Sequence, residues 1–232
     1  MRGMLRFLDN DSPFGRVCTF LGTVIAVNLL FVVTLIPVVT AGAGLCGMYY
    51  AMLKLVRYKE INPLAEFWRG FRDNFKKATL TLLGVAAVAA FLAVDLRICA
   101  LMTGPLRYCS TVVYGAIIAL AVLAMYLFPV MAAFEGKMKD TLKLSVYFAG
   151  GNLPGTAAIA VLNVVPLVLT YINPAMLPLA AFLWCLGGFA MIAFCNSMIM
   201  MRRFARHLEP LEADREEADR KRILEEMKML EG

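Results

Sequence analysis

The sequence predicts an all-α, polytopic bundle of about six membrane helices, the second one short. Three observations predict it. First, 61% of the 232 residues are hydrophobic and only 17% are charged, whereas about a quarter are charged in an ordinary soluble domain. Second, the apolar residues lie in long uncharged runs separated by short basic segments. Most runs reach the roughly 20 residues that cross a hydrocarbon core, and none alternates as a membrane strand would. Third, on a six-crossing reading, all but Arg97 and Arg107 of the 23 Lys and Arg fall on one side. Such a bias marks the basic side as cytoplasmic, so both termini are expected inside. The same distribution explains the net charge of +6 without nucleic acid as a partner. The expected partner is the lipid bilayer.

Residues 1–16 read as an N-terminal cytoplasmic or interfacial segment. Asp11 or Ser12 is placed to cap the next helix and Pro13 to sit in its first turn. The transmembrane domain is expected over 17–201. Its first helix, about Val17 to Ile36, is too long for a signal-peptide core. Pro37 and the small-residue run from Thr40 to Gly44 end it.

The second segment, Gly42 to Val56, is marginal in length, and Lys54 and Arg57 extend it by snorkelling. Without that crossing, Arg2, Arg6 and Arg16 would lie outside, so charge favours six crossings. A re-entrant hairpin satisfies the same count if the first segment also stops short, and that reading stays open.

Tyr58 to Lys77 is the first strongly polar stretch. Asn62 is placed as an N-cap with Pro63 at the first helical position. Leu64, Phe67, Trp68, Phe71 and Phe75 fall on one face, opposite Arg69, Arg72, Asp73 and Lys76. The pattern predicts an amphipathic helix lying at the membrane surface. Phe67, Trp68, Arg69, Phe71, Arg72 and Lys76 are thus candidates for a cytoplasmic lipid or partner surface. Glu135 and Lys137, from the inner loop Phe134 to Ser145, extend it.

Four further crossings are expected at about 78–102, 108–131, 154–170 and 174–201, with Asn173-Pro174 as a tight turn between the last two. Residues 202–232 form a charged cytoplasmic tail, read as a soluble helix.

Candidates for chemistry are few. Asp95 is the best-placed intramembrane acid, although Arg97 beside it suits an interfacial position. Asn28, Asn163 and Asn196 are the polar intramembrane set. They either hydrogen-bond between helices or line a polar path. The six Cys form no CxxC pair and His207 is the only His, so no metal site is expected. Cys99 and Cys109 flank an outer loop, where they pair or stay separate thiols. No GxxxxGK[ST], HExxH or GxSxG run is present. No enzyme activity and no cofactor are predicted.

Certain motifs occur in fixed order: Asn28 to Phe31, Pro37 to Thr40, Tyr49-Tyr50 with Lys54, Phe67 to Arg69, and Phe71 to Lys76. A second block holds Tyr126 to Pro129, Phe134 to Gly136, and Asn152 to Pro154 with Thr156. Over most of 14–201 this resembles the YesL family of bacterial membrane proteins, a domain of unknown function. The resemblance implies a bacterial cytoplasmic-membrane location and an accessory role beside carbohydrate importers of the ATP-driven ABC type. Subunits of such a transporter are then the expected protein partners. It supplies no catalytic residues. Ala132 to Gly136 faintly echoes the ATPase-docking loop of importer permeases, but order and spacing differ. Two readings follow: an accessory subunit bound to a transporter, or a small transporter or channel for a polar solute. The oligomeric state stays open.

Overall fold

The computed structural model describes residues 13–101, 108–173, 175 and 177–207. Helix α1 runs Pro13–Leu35. A short 3-10 turn, Val38–Thr40, leads into α2, Ala41–Tyr58. Then come α3, Pro63–Leu101, and α4, Cys109–Ala133. The remaining helices are α5, Met138–Gly150, α6, Leu153–Ile172, and α7, Leu177–His207. Six of these stretches are long and apolar enough to cross a membrane. The chain is an all-α polytopic helix bundle. The expected tail helix beyond His207, the Asp11 and Ser12 caps and Pro174 lie outside the described residues.

The turns follow from local chemistry. Pro37 stops α1, because its ring crowds the backbone before it. The Thr40 hydroxyl then shares its one hydrogen between the carbonyls of Thr34, at 2.6 Å, and Pro37, at 2.8 Å. Carbonyls at a helix end need such donors. Asn62 caps α3 as expected: its Oδ1 accepts from the Ala65 N–H at 3.2 Å. Between these helices Lys59 takes φ 63°, a left-handed conformation that closes α2.

The short, doubtful second segment is the centre of the bundle. Within α2, Ala43, Cys46, Ala51 and Met52 are wholly buried. Its small residues let α3 approach to backbone contact. A Cβ on Gly42 would sit 2.5 Å from the Ala78 carbonyl oxygen, and one on Gly70 would sit 2.5 Å from the Tyr50 Cβ. Close approach through small residues drives helix association where lipid removes the hydrophobic incentive.

Two expectations change here. The segment 58–77 does not form a separate surface helix, because it continues into the next apolar run as one helix of 39 residues. At 1.5 Å per residue that is about 58 Å, roughly twice the hydrocarbon thickness. No Gly or Pro lies between Gly70 and Gly84 to break it. Its first half packs antiparallel on α2, as the Gly42–Ala78 and Tyr50–Gly70 approaches require. Its second half turns Leu83, Val88, Phe91, Val94 and Ile98 outward, as a lipid-facing helix does. The inner loop is also more ordered than the sequence implied, since most of it forms α5.

Polar contacts fasten the remaining helices. The Tyr126 hydroxyl of α4 lies 2.8 Å from the Thr156 hydroxyl of α6, and Thr156 donates to the Ala149 carbonyl of α5 at 2.9 Å. Phe134, Phe148 and Phe204 pack as a ring cluster, with centroids 4.6–5.9 Å apart. They join the loop after α4 to α5 and α7. The six cysteines are free thiols, Cys99 and Cys109 included.

Candidate functional site: a basic cleft at one end of the bundle

Four helix ends meet around a cleft of about 550 Å³. They are the last turns of α2, the first half of α3, the end of α4 and the end of α7. Charged residues gather there because each of these segments is where an apolar helix leaves its uncharged run. Lys54, Arg57, Arg69 and Lys77 line the cleft with Asp73 and Glu135. Leu53, Met131 and Met201 give it an apolar floor.

Most of these groups are held in place. Lys54 Nζ lies 2.8 Å from Glu66 Oε2 and 4.8 Å above the Tyr50 ring. This pair bridges α2 and α3 across their turn. Lys77 Nζ donates to the Gly136 carbonyl at 2.6 Å, tying α3 to the loop after α4. The Arg57 guanidinium stands 5.4 Å from the Tyr58 ring centroid. Arg69 is loosely held: it lies 3.9 Å from Asp73, and both side chains are 64% exposed. A pair that long and that wet contributes about 0–1 kcal/mol, so Arg69 is available to another anion. The cleft carries an excess of positive charge over an apolar floor, an arrangement suited to holding an acidic amphiphile. Among the described residues, no three His, Cys, Asp or Glu side chains gather as a metal-ligand set.

The amides occupy separate places. Asn28 is fully buried and faces a π-helical turn, Trp184–Gly188, in α7. Its amide nitrogen donates to the carbonyls of Trp184, at 3.0 Å, and Cys185, at 2.7 Å. Its oxygen accepts from the Ala190 N–H at 3.0 Å. A π-turn offsets the regular hydrogen-bond ladder, and Asn28 supplies partners there. Asn196 is also fully buried, and it donates to the Tyr49 hydroxyl at 3.2 Å. Asn163 donates to the Ile159 carbonyl of its own helix at 2.7 Å. It alone of the three lines a second cavity of about 210 Å³, with Phe31, Met48, Trp184 and Phe189 among its walls. The amides therefore do not converge on one polar path. Asp95 sits half-buried in the far half of α3, well away from the cleft.

The expected surface on α3 is divided. Trp68, Arg69, Arg72 and Lys76 are exposed, and Phe71 is half-buried. Phe67 is not a surface residue: it is 0% exposed. Its ring lies against Gly47 of α2, because that glycine leaves room where a side chain would stand. Glu135 lines the cleft, while Lys137 is exposed just before α5. Asn74, from the ordered motif Phe71 to Lys76, and Lys77 also line the cleft, and no local pattern marks them as its walls. One signal was available: Lys54 and Glu66 carry opposite charges at matched distances from the turn at 59–62, as partners in an antiparallel pair must.

No curated protein and no solved structure gives a match to the chain. Residues 24–96, from the middle of α1 to the last turns of α3, match the family model described as "Protein of unknown function, DUF624", the family to which YesL belongs.

Proposed function

We propose that the chain is a non-catalytic membrane subunit that binds another membrane protein through its basic end. The Lys and Arg distribution makes that end cytoplasmic. The resemblance to YesL proteins implies that the partner belongs to a bacterial carbohydrate importer. The carrying observation is the division of polar groups. Asn28 and Asn196 are sealed inside, each bonded to a neighbouring helix. The exposed polar chemistry is concentrated at one end, where Trp68, Arg72 and Lys76 face outward. That distribution supports a docking surface more than a route for a solute.

The test is gentle solubilisation of native membranes followed by affinity purification. The chain should emerge with the importer's permease subunits, and R72E with K76E should reduce their recovery. Recovery as a lone species under the same conditions contradicts the reading. The alternative, a small transporter, draws on the cavity at Asn163. It requires that Asn163→Leu abolish solute uptake into proteoliposomes.

A further inference from the structure

We propose that the basic cleft is a binding site for the phosphate of an acidic glycerophospholipid, which enters from the adjoining leaflet. This goes beyond partner binding and does not depend on it. Four cations and two carboxylates line the cleft. Lys54 is already paired with Glu66, and the other three cations against two carboxylates still give an entering anion a net attraction. Those cations come from α2 and from two turns of α3. Such a spread suits a tetrahedral phosphate, whose oxygens accept from several directions, better than a planar carboxylate, which one arginine fork would satisfy.

The floor favours a lipid. Leu53, Met131 and Met201 are apolar, and each sits at the last turns of a helix read as membrane-crossing. A free phosphate gains nothing from such a floor, whereas the glycerol and upper acyl carbons of a lipid do. Basic pockets between helices at the cytoplasmic boundary are the usual form of a headgroup site.

At about 550 Å³ the cleft falls in the usual range for small-ligand sites. Arg69 is largely exposed and only loosely tied to Asp73. Lys77 spends one donor on Gly136 and keeps two. These groups reach a phosphate without breaking the contacts that hold the bundle.

The experiment is native mass spectrometry of the purified chain, titrated with phosphatidylglycerol, phosphatidylcholine or glycerol 3-phosphate. Phosphatidylglycerol should be retained at least tenfold better than phosphatidylcholine, and millimolar glycerol 3-phosphate should not displace it. R69Q should weaken retention of phosphatidylglycerol by on the order of tenfold, the usual effect of losing one charge-assisted hydrogen bond. K143Q removes an exposed cation on α5, outside the cleft, and should leave retention unchanged. Lys77 also holds the loop at Gly136, so the decision rests on R69Q. Equal retention of the two lipids overturns the proposal, as does an R69Q protein that matches wild type. A K143Q loss as large as that of R69Q reduces the effect to general surface charge and overturns it too. Full competition by glycerol 3-phosphate assigns the cleft to a soluble phosphate and overturns the lipid assignment.

Discussion

The side-chain oxygen of Asn28 accepts a hydrogen bond from the backbone N–H of Ala190 at 3.0 Å. The same amide donates to two carbonyls on the far side of the π-turn. One side chain on α1 thus bridges an irregularity in α7, 162 residues away in sequence. Asn28→Leu keeps the branched shape and heavy-atom count of the side chain and removes all three of its hydrogen bonds. Stranding buried backbone groups costs about 1–3 kcal/mol each. Asn28→Leu should therefore lower the thermal midpoint in detergent by several degrees. Asn163→Ala, which removes only a bond within its own helix, should shift it far less.

The contact between α2 and α3 sets a second expectation. A side chain on Gly70 meets the Tyr50 Cβ at 2.5 Å, and that neighbour is too close to the backbone to swing away. Gly70→Ala should cost about 1–3 kcal/mol, as overpacking does, and should widen the cleft. Gly84→Ala provides the contrast. Nothing lies within 4 Å of its would-be Cβ, and Ala forms helix better than Gly by about 1 kcal/mol. It should be neutral or stabilising. Thermal unfolding of the two variants side by side decides this.

Tyr49 and Asn196 give a third. The Asn196 oxygen and the Ser197 hydroxyl lack partners among the described residues, so this polar island is only half satisfied. Tyr49→Phe removes the one acceptor of the Asn196 amide and should destabilise by about 1 kcal/mol. Combining it with Asn196→Leu removes both partners and should recover most of that loss. If Tyr49→Phe instead abolishes solute uptake at unchanged stability, the pair gates a path and the transporter reading gains.

Orientation is open to chemical labelling. In a cysteine-free background, a single cysteine at Lys139 should react with a membrane-impermeant maleimide only after the cells are opened. One at Tyr108 should react in intact cells. The reverse pattern would invert the bundle and undo the cytoplasmic assignment of the basic end.

Much of this architecture was legible in the sequence, and the misses share a cause. Uncharged runs marked the crossings, and Asn62 with Pro63 marked the start of α3. Helix α5 was missed because Thr141 and Ser145, on its buried face, look polar. Their hydroxyls donate to carbonyls four residues back, at 3.4 and 2.8 Å, so they pack as apolar groups. Phe67 was placed on the surface because apolar periodicity locates a stripe without saying which part of it meets a neighbour. Gly47, on another helix, decides that. The cleft was invisible for a similar reason: it assembles the ends of four helices, and no local spacing records their meeting.

That the basic end is the docking surface is open to photo-crosslinking. A photoreactive amino acid replaces Arg72, at the exposed basic end, or Phe91, in the lipid-facing half of α3, and native membranes are irradiated. If the basic end docks the partner, position 72 gives a discrete adduct with an importer permease subunit and position 91 gives none. An adduct with that subunit from position 91 alone, or no protein adduct from position 72, would contradict it.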